Sequence, residues 1–256
     1  YNNWGGCSNT AIGSKALYTN TTGCYNSAIG VHALCSNTTG SNNTAIGYFA
    51  LESNTTGHNN NAMGCYALQK NTTGDHNNAI GYYALCGSLS GDHNFAAGQC
   101  ALRDNWGGCY NTAIGYNALK NNTTGNSNTA IGCFVLQANT TGWGNVALGT
   151  LGLYANTTGY ANNALGVAAL ANNVTGYGNN ALGYQSLYHN TGNHNHALGH
   201  YALHKNVGGG YNFAVSWEAL YYNTTGNHNT GLGYRTLYLA NSGDDNFAAG
   251  QCALYN

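Results

Sequence analysis

The sequence predicts an all-β protein, a parallel β-solenoid of 15 coils, and three observations carry the prediction. A 17-residue period spans the chain and reads Asn-Thr-Ala-Ile-Gly-x-x-Ala-Leu-x-x-Asn-Thr-Thr-Gly-x-x where it is least altered, as from Asn128 to Gly142. Its opening Asn falls at 9, 26, 43, 60, 77, 94, 111, 128, 145, 162, 179, 195, 212, 229 and 246. Two Gly per period, a β-branched Thr between them and no apolar spacing near 3.6 make helix costly. Charged residues supply 5% of the chain, where about 25% is ordinary, and Pro is absent.

Within a copy, positions are counted from the opening Asn. The first apolar patch runs from Ala11-Ile12 to Ala248-Ala249, and Gly follows it in 14 copies, with Ser216 the exception. Gly there is expected where the chain bends through positive φ or where backbone meets backbone. The second patch ends in Leu in all 15 copies, from Leu17 to Leu254. Two short strands per coil are therefore expected, Thr-Ala-Ile and x-Ala-Leu, with Asn-Thr-Thr-Gly as the return turn. One step is 16 residues, where Asn190-Thr191-Gly192 has lost a Thr from that turn. Parallel pairing at about 4.8 Å gives one continuous domain over residues 1–256, a rod about 70 Å long. Ile, Leu and two Ala per coil are the expected core. Asn stacks on Asn at positions 1 and 12, where side-chain amides can bond along the axis as ladders.

Several function classes are disfavoured. A net charge of −1 leaves no basic stripe for phosphates, which argues against nucleic acid. The longest apolar runs, such as Cys133-Phe134-Val135-Leu136, fall far short of the roughly 20 residues that membrane insertion needs. Seven acids, no nucleophile beside a base at a recognisable spacing and no phosphate-cradling loop predict no catalytic residues, no cofactor and no enzyme. His189, His194, His196, His200 and His204 cluster in sequence, and Asp75-His76 and Asp92-His93 lie on adjacent coils. No Cys or His spacing matches a zinc module, so these read as surface residues and not as metal ligands. Stacked Thr pairs such as Thr38-Thr39 form hydroxyl rows, but breaks at Leu89-Ser90, Trp106-Gly107, Val174-Thr175 and Val207-Gly208 disfavour a lattice match to ice. Tyr and Trp mostly occupy variable outward positions, as an aromatic ladder or as lateral and carbohydrate contacts.

Nine Cys in a nearly uncharged chain favour an oxidising, extracellular setting. Cys100 and Cys109 form one candidate disulfide and Cys24 and Cys35 another. Cys65, Cys86 and Cys133 remain, so at least one is free or pairs externally. Sequons at Asn20, Asn37, Asn54, Asn71, Asn122, Asn139, Asn156, Asn173 and Asn223 all lie in the return turn. They read either as a column of glycans or simply as turn residues.

Neither end carries an atypical capping repeat, so both are expected to be sticky. The segment from Phe247 to Leu254 copies that from Phe95 to Leu102, which continues into Asn105-Trp106-Gly107-Gly108-Cys109. The amino end supplies Asn3-Trp4-Gly5-Gly6-Cys7. With Tyr255-Asn256 overlapping Tyr1-Asn2, the carboxyl end resumes where the amino end begins. Head-to-tail stacking of copies follows as an expectation, with Cys252 of one copy facing Cys7 of the next across an open, heterologous contact. Duplication inside a longer chain is the competing explanation.

The segments Asn43-Thr44-Ala45-Ile46-Gly47, Asn111-Thr112-Ala113-Ile114-Gly115 and Asn128-Thr129-Ala130-Ile131-Gly132 resemble the Ala-Ile-Gly repeats of trimeric autotransporter adhesin heads. They also resemble repeats of fibre-type surface proteins of bacteria, phages and large viruses. The resemblance covers the whole chain and implies a left-handed parallel β-roll, side-by-side trimers and binding to extracellular matrix. The adhesin repeats are about three residues shorter, and a chain without their coiled-coil neck, stalk and anchor is the expectation here. Two functions are carried forward: a structural subunit of an extracellular filament or surface appendage, whose partner is a copy of itself, and an adhesin head or fibre shaft that binds glycans or matrix.

Overall fold

A computed structural model describes residues 4–256 and divides the chain into two compact units, Tyr1–Asn128 and Thr129–Asn256. The first unit carries seven strands: β1 (Thr10–Ile12), β2 (Ser27–Ile29), β3 (Thr44–Ile46), β4 (Asn61–Met63), β5 (Asn78–Ile80), β6 (Phe95–Ala97) and β7 (Thr112–Ile114). Each pairs in parallel with the next in sequence. The second unit carries eight, similarly paired: β8 (Thr129–Ile131), β9 (Val146–Leu148), β10 (Asn163–Leu165), β11 (Asn180–Leu182), β12 (His196–Leu198), β13 (Phe213–Val215), β14 (Thr230–Leu232) and β15 (Phe247–Ala249). No helix occurs among the described residues, and every strand meets its copy in register, Ala28 on Ala45 and Ile29 on Ile46. The short step costs the sheet nothing: Ala181 still meets Ala197, so the lost Thr is absorbed in the turn.

Only one of the two expected strands per coil forms. The x-Ala-Leu stretch is a run of turns, because its backbone alternates in hand. All 15 Leu at position 9 take φ between 47° and 54°, and the residues two before them also lie at positive φ, as Phe49 does at 56°. Two turns of four residues close this corner: Ala50 N–H donates to Gly47 O at 3.4 Å and Asn54 N–H to Leu51 O at 3.3 Å. A coil this short must return to its start, and corners do that where a second straight strand would overshoot.

The core differs from expectation in one residue type. Strand side chains alternate, so Ala at the centre of each strand points inward and Ile at its end points out. Ala45, Ala50 and Leu51 are fully buried, whereas Ile46 is 39% exposed. The remaining interior is polar, with Asn at positions 1 and 12 buried in most coils. Leu51→Ala should therefore cost about 2–5 kcal/mol in chemical denaturation. Ile46→Thr, by contrast, should change stability by less than about 1 kcal/mol; equal losses would show that the outward column belongs to the core.

Backbone polar groups are satisfied from coil to coil. In the first unit Leu34 N–H donates forward to Ala50 O and Thr38 N–H to Thr55 O, while Gly47 N–H donates back to Ile29 O at 2.8 Å. Apart from the two turn bonds within a coil, these backbone groups are thus satisfied by the neighbouring coils.

Candidate functional site

The chemistry of this chain lies in side-chain columns, each built from one repeat position. At position 12 the expected ladder is present. Asn54 Nδ2 donates to Asn37 Oδ1 at 2.9 Å and to Gly57 O at 3.0 Å, and Asn71 Nδ2 donates to Asn54 Oδ1. The second unit repeats it through Asn156, Asn173, Asn190, Asn206 and Asn223. At position 1 the amide works differently: Asn43 N–H donates to Asn26 Oδ1, while Asn43 Nδ2 spans to Gly57 O. The two columns thereby hold the return turn from both sides.

Ser88 interrupts the position-12 ladder. Its side chain is too short to bridge, and both Ser88 Oγ and Asn71 Oδ1 are buried without a partner. Ala240 likewise leaves Asn223 Oδ1 unmatched. Ser88→Asn should restore the missing rung and stabilise the chain by about 1–3 kcal/mol, read as a higher urea midpoint. A lower midpoint would show that the gap cannot hold an amide.

All nine sequon asparagines are fully buried. Where the bonds are resolved, as at Asn37, Asn54, Asn71 and Asn156, the Nδ2 that would carry a glycan donates into the ladder. In the folded coils these residues are interior structure, so the turn-residue reading has the geometric support and the column of glycans does not.

A further column was not anticipated from the sequence. The N–H at position 16 meets a side-chain acceptor from the next coil. Ser41 Oγ accepts from Cys24 N–H, His58 Nδ1 from Ser41 N–H, Asp75 Oδ1 from His58 N–H, Asp92 Oδ1 from Asp75 N–H, Cys109 Sγ from Asp92 N–H and Asn126 Oδ1 from Cys109 N–H. Asn193, Asn227 and Asp244 do the same in the second unit. Part of the signal was available: from Cys24 to Asn126 position 16 carries only Cys, Ser, His, Asp and Asn, all side chains that can accept, whereas Trp143, Tyr160, Tyr177 and Gly210 occupy it later.

Aromatic rings form ladders, as the outward-Tyr reading expected. His76, His93 and Tyr110 stack with centroids 4.7 and 5.0 Å apart, and Trp143, Tyr160 and Tyr177 with 4.9 and 4.7 Å. His204 is buried between Tyr188 and Tyr221 and pairs with Gln185 O at 3.1 Å; burial holds its imidazole below the usual range. Among the described residues no three His, Cys, Asp or Glu come together as a metal would require.

The cysteines fall into separate columns. Cys100 lines a hollow beside Tyr83, Cys86 and Arg103, whereas Cys109 Sγ faces Asp92 N–H and Gly107 O. Cys24 meets Cys7, and Cys35 lies where Glu52 and Lys15 act on it. All nine are free thiols in the structure; it joins neither Cys100 to Cys109 nor Cys24 to Cys35.

Of the expected junction residues, Tyr1 and Asn3 lie outside the described residues. Trp4 is exposed, and its N–H and that of Gly5 donate to Thr21 O. At the other end Cys252 and Asn256 are exposed, and Tyr255 stacks on Tyr238 at 5.0 Å. Leu254 occupies the core Leu position but is 57% exposed, against 3% for Leu237 one coil earlier.

Fold and columns together define a parallel β-solenoid of short, in-register coils. No protein family, no curated protein and no solved structure matches the chain.

Proposed function

We propose that the chain is a structural subunit of an extracellular filament or surface appendage, built by stacking one copy on the next along the coil axis. The observation that carries this reading is the in-register repetition of the coils: each strand pairs in parallel with its copy, Ala28 on Ala45, and Leu34 and Leu51 are buried alike. The surface that buries the Ala and Leu of one coil is the Ala and Leu of its neighbour, so a surface of the same repeat can continue both the core column and the parallel pairing. A second copy presents the same repeat in the same spacing. The contact is head-to-tail, so it does not close and it propagates. Extracellular placement rests on the scarcity of charge and on the cysteine count.

Electron microscopy of native, undenatured material tests this. Long uniform filaments with a layer line near 4.8 Å are expected; discrete short rods that never elongate would overturn it. Intact mass of the native protein separates a subunit from a segment of a larger chain.

The exposed apolar column favours a second reading. Ile46, Tyr48 and their copies face outward together, and such a face suits an adhesin head or fibre shaft that associates side by side and holds glycans or matrix. Rods of three chains in the same micrographs would select it.

A further inference from the structure

A solenoid restricts which cysteines can be joined. Residues at the same position of consecutive coils sit about 4.8 Å apart, inside the Cα separation that a disulfide accepts. Of the nine cysteines, Cys7 and Cys24 alone are 17 residues apart, both at position 16. The other candidates differ in position or are separated by whole coils: Cys65 has Tyr48 and Tyr82 as its column neighbours, and Cys109 has Asp92 and Asn126.

The side chains are placed accordingly. Cys7 Sγ lies 2.7 Å from Cys24 Sγ, closer than two unbonded sulfurs ordinarily approach, and Cys7 N–H donates to Cys24 Sγ at 3.1 Å. Both thiols are solvent-accessible, Cys7 exposed and Cys24 half-buried. We propose that Cys7 and Cys24 form an oxidisable pair whose disulfide clasps the segment from Trp4 to Ser8 onto the first complete coil. Without the bond, that segment is held by the donation of Trp4 and Gly5 N–H to Thr21 O and of Tyr25 N–H to Cys7 O.

The roles of the two sulfurs are unequal. Cys24 receives hydrogen bonds from the Cys7 thiol and the Cys7 N–H, which favour its thiolate, whereas the Cys7 thiol is raised because it donates that bond. Cys24 is therefore the attacking sulfur. Its thiolate opens a small-molecule disulfide, forming a mixed disulfide and releasing one thiolate. Cys7 then gives up its proton to solvent and displaces the second thiolate from Cys24. Two protein thiols are oxidised and one small disulfide is reduced to two thiols.

The test uses the full chain, reduced, then exposed to oxidised glutathione, blocked with an alkylating reagent and digested with trypsin. Cleavage after Lys15 separates Cys7 from Cys24, so the two peptides remain together only through a disulfide. The expected result is a linked species two hydrogens lighter than its parts, lost in Cys24→Ser and retained in Cys35→Ser. Serine keeps an acceptor at position 16, as Ser41 does, so the first variant keeps the coil. Amide exchange at Trp4 and Gly5 should slow on oxidation and recover with dithiothreitol. Recovery of Cys7 and Cys24 as separate alkylated or glutathionylated peptides, a link from Cys7 to Cys35, or unchanged exchange at Trp4 and Gly5 would each overturn the clasp.

Discussion

Asn54→Ala is expected to destabilise the chain by about 2–5 kcal/mol, more than most single substitutions at a polar residue. The change strands the buried acceptor Asn37 Oδ1, leaves Gly57 O with Asn43 Nδ2 alone and takes one of two partners from Asn71 Nδ2. Urea denaturation measures it; a loss below about 0.5 kcal/mol, usual for a surface site, would show that the ladder is not a source of stability. Asn54→Asp adds a pH dependence whose sign is fixed by the geometry. The oxygen that replaces Nδ2 would face two acceptors in a buried site with no cation beside it, and the one bond from Asn71 Nδ2 to the other oxygen does not offset this, so the carboxyl is pushed above its unfolded value of about 3.9. Below that value the acid is neutral in both states and the ionisation penalty is absent. It grows as pH rises through the interval between the unfolded and folded values, then stays constant. Melting temperature relative to the unsubstituted chain should fall from pH 3 toward neutrality; a flat difference would contradict the burial.

Gly47→Ala should be at least as damaging, about 4 kcal/mol or more. Gly47 lies at φ 138°, and a Cβ there would stand 2.6 Å from Gly64 O and 2.7 Å from Gly64 C, both backbone atoms of the next coil. Neither atom can rotate away, so the coils must separate locally. Gly107→Ala is the control: its Cβ would meet only Ser90 Oγ, at 3.9 Å, and the change should stay within about 0.5 kcal/mol. Similar losses at both would mean that close coil contact does not set the demand for glycine. Ser216 shows that the column admits one exception, with φ shifted to 105°.

Much of this was legible because the period is read directly. Coil number, parallel register, the Asn ladders and the harmless loss of a Thr all follow from aligning the copies. The second strand was misread because x-Ala-Leu carries strand-like composition, while nothing in the residue type announces that Leu51 sits at φ 53°. Ile46 was misplaced for a related reason: hydrophobicity suggested the interior, but alternation about a strand centred on Ala45 turns it outward. The sequons left two readings open, and the burial of their amides supports the turn-residue one. The position-16 column was hidden by its variety, because the coil accepts there either a short side chain that takes an N–H, as Ser41 and Asp75 do, or a ring that stacks, as Tyr160 does.

The direction of the hydrogen bonds has a mechanical meaning. Within either unit they run from coil to coil along the stacking axis, as from Gly47 N–H to Ile29 O and from Leu51 N–H to Ala67 O. Tension along that axis loads successive coil interfaces in series, so the weakest interface yields first and the chain peels instead of shearing. Each released coil frees 17 residues, about 60 Å of extended chain for about 4.8 Å of folded rise. Stretched in this way, the protein would behave as a ratchet of nearly equal extensions, dissipating work one coil at a time while the remaining coils keep their register.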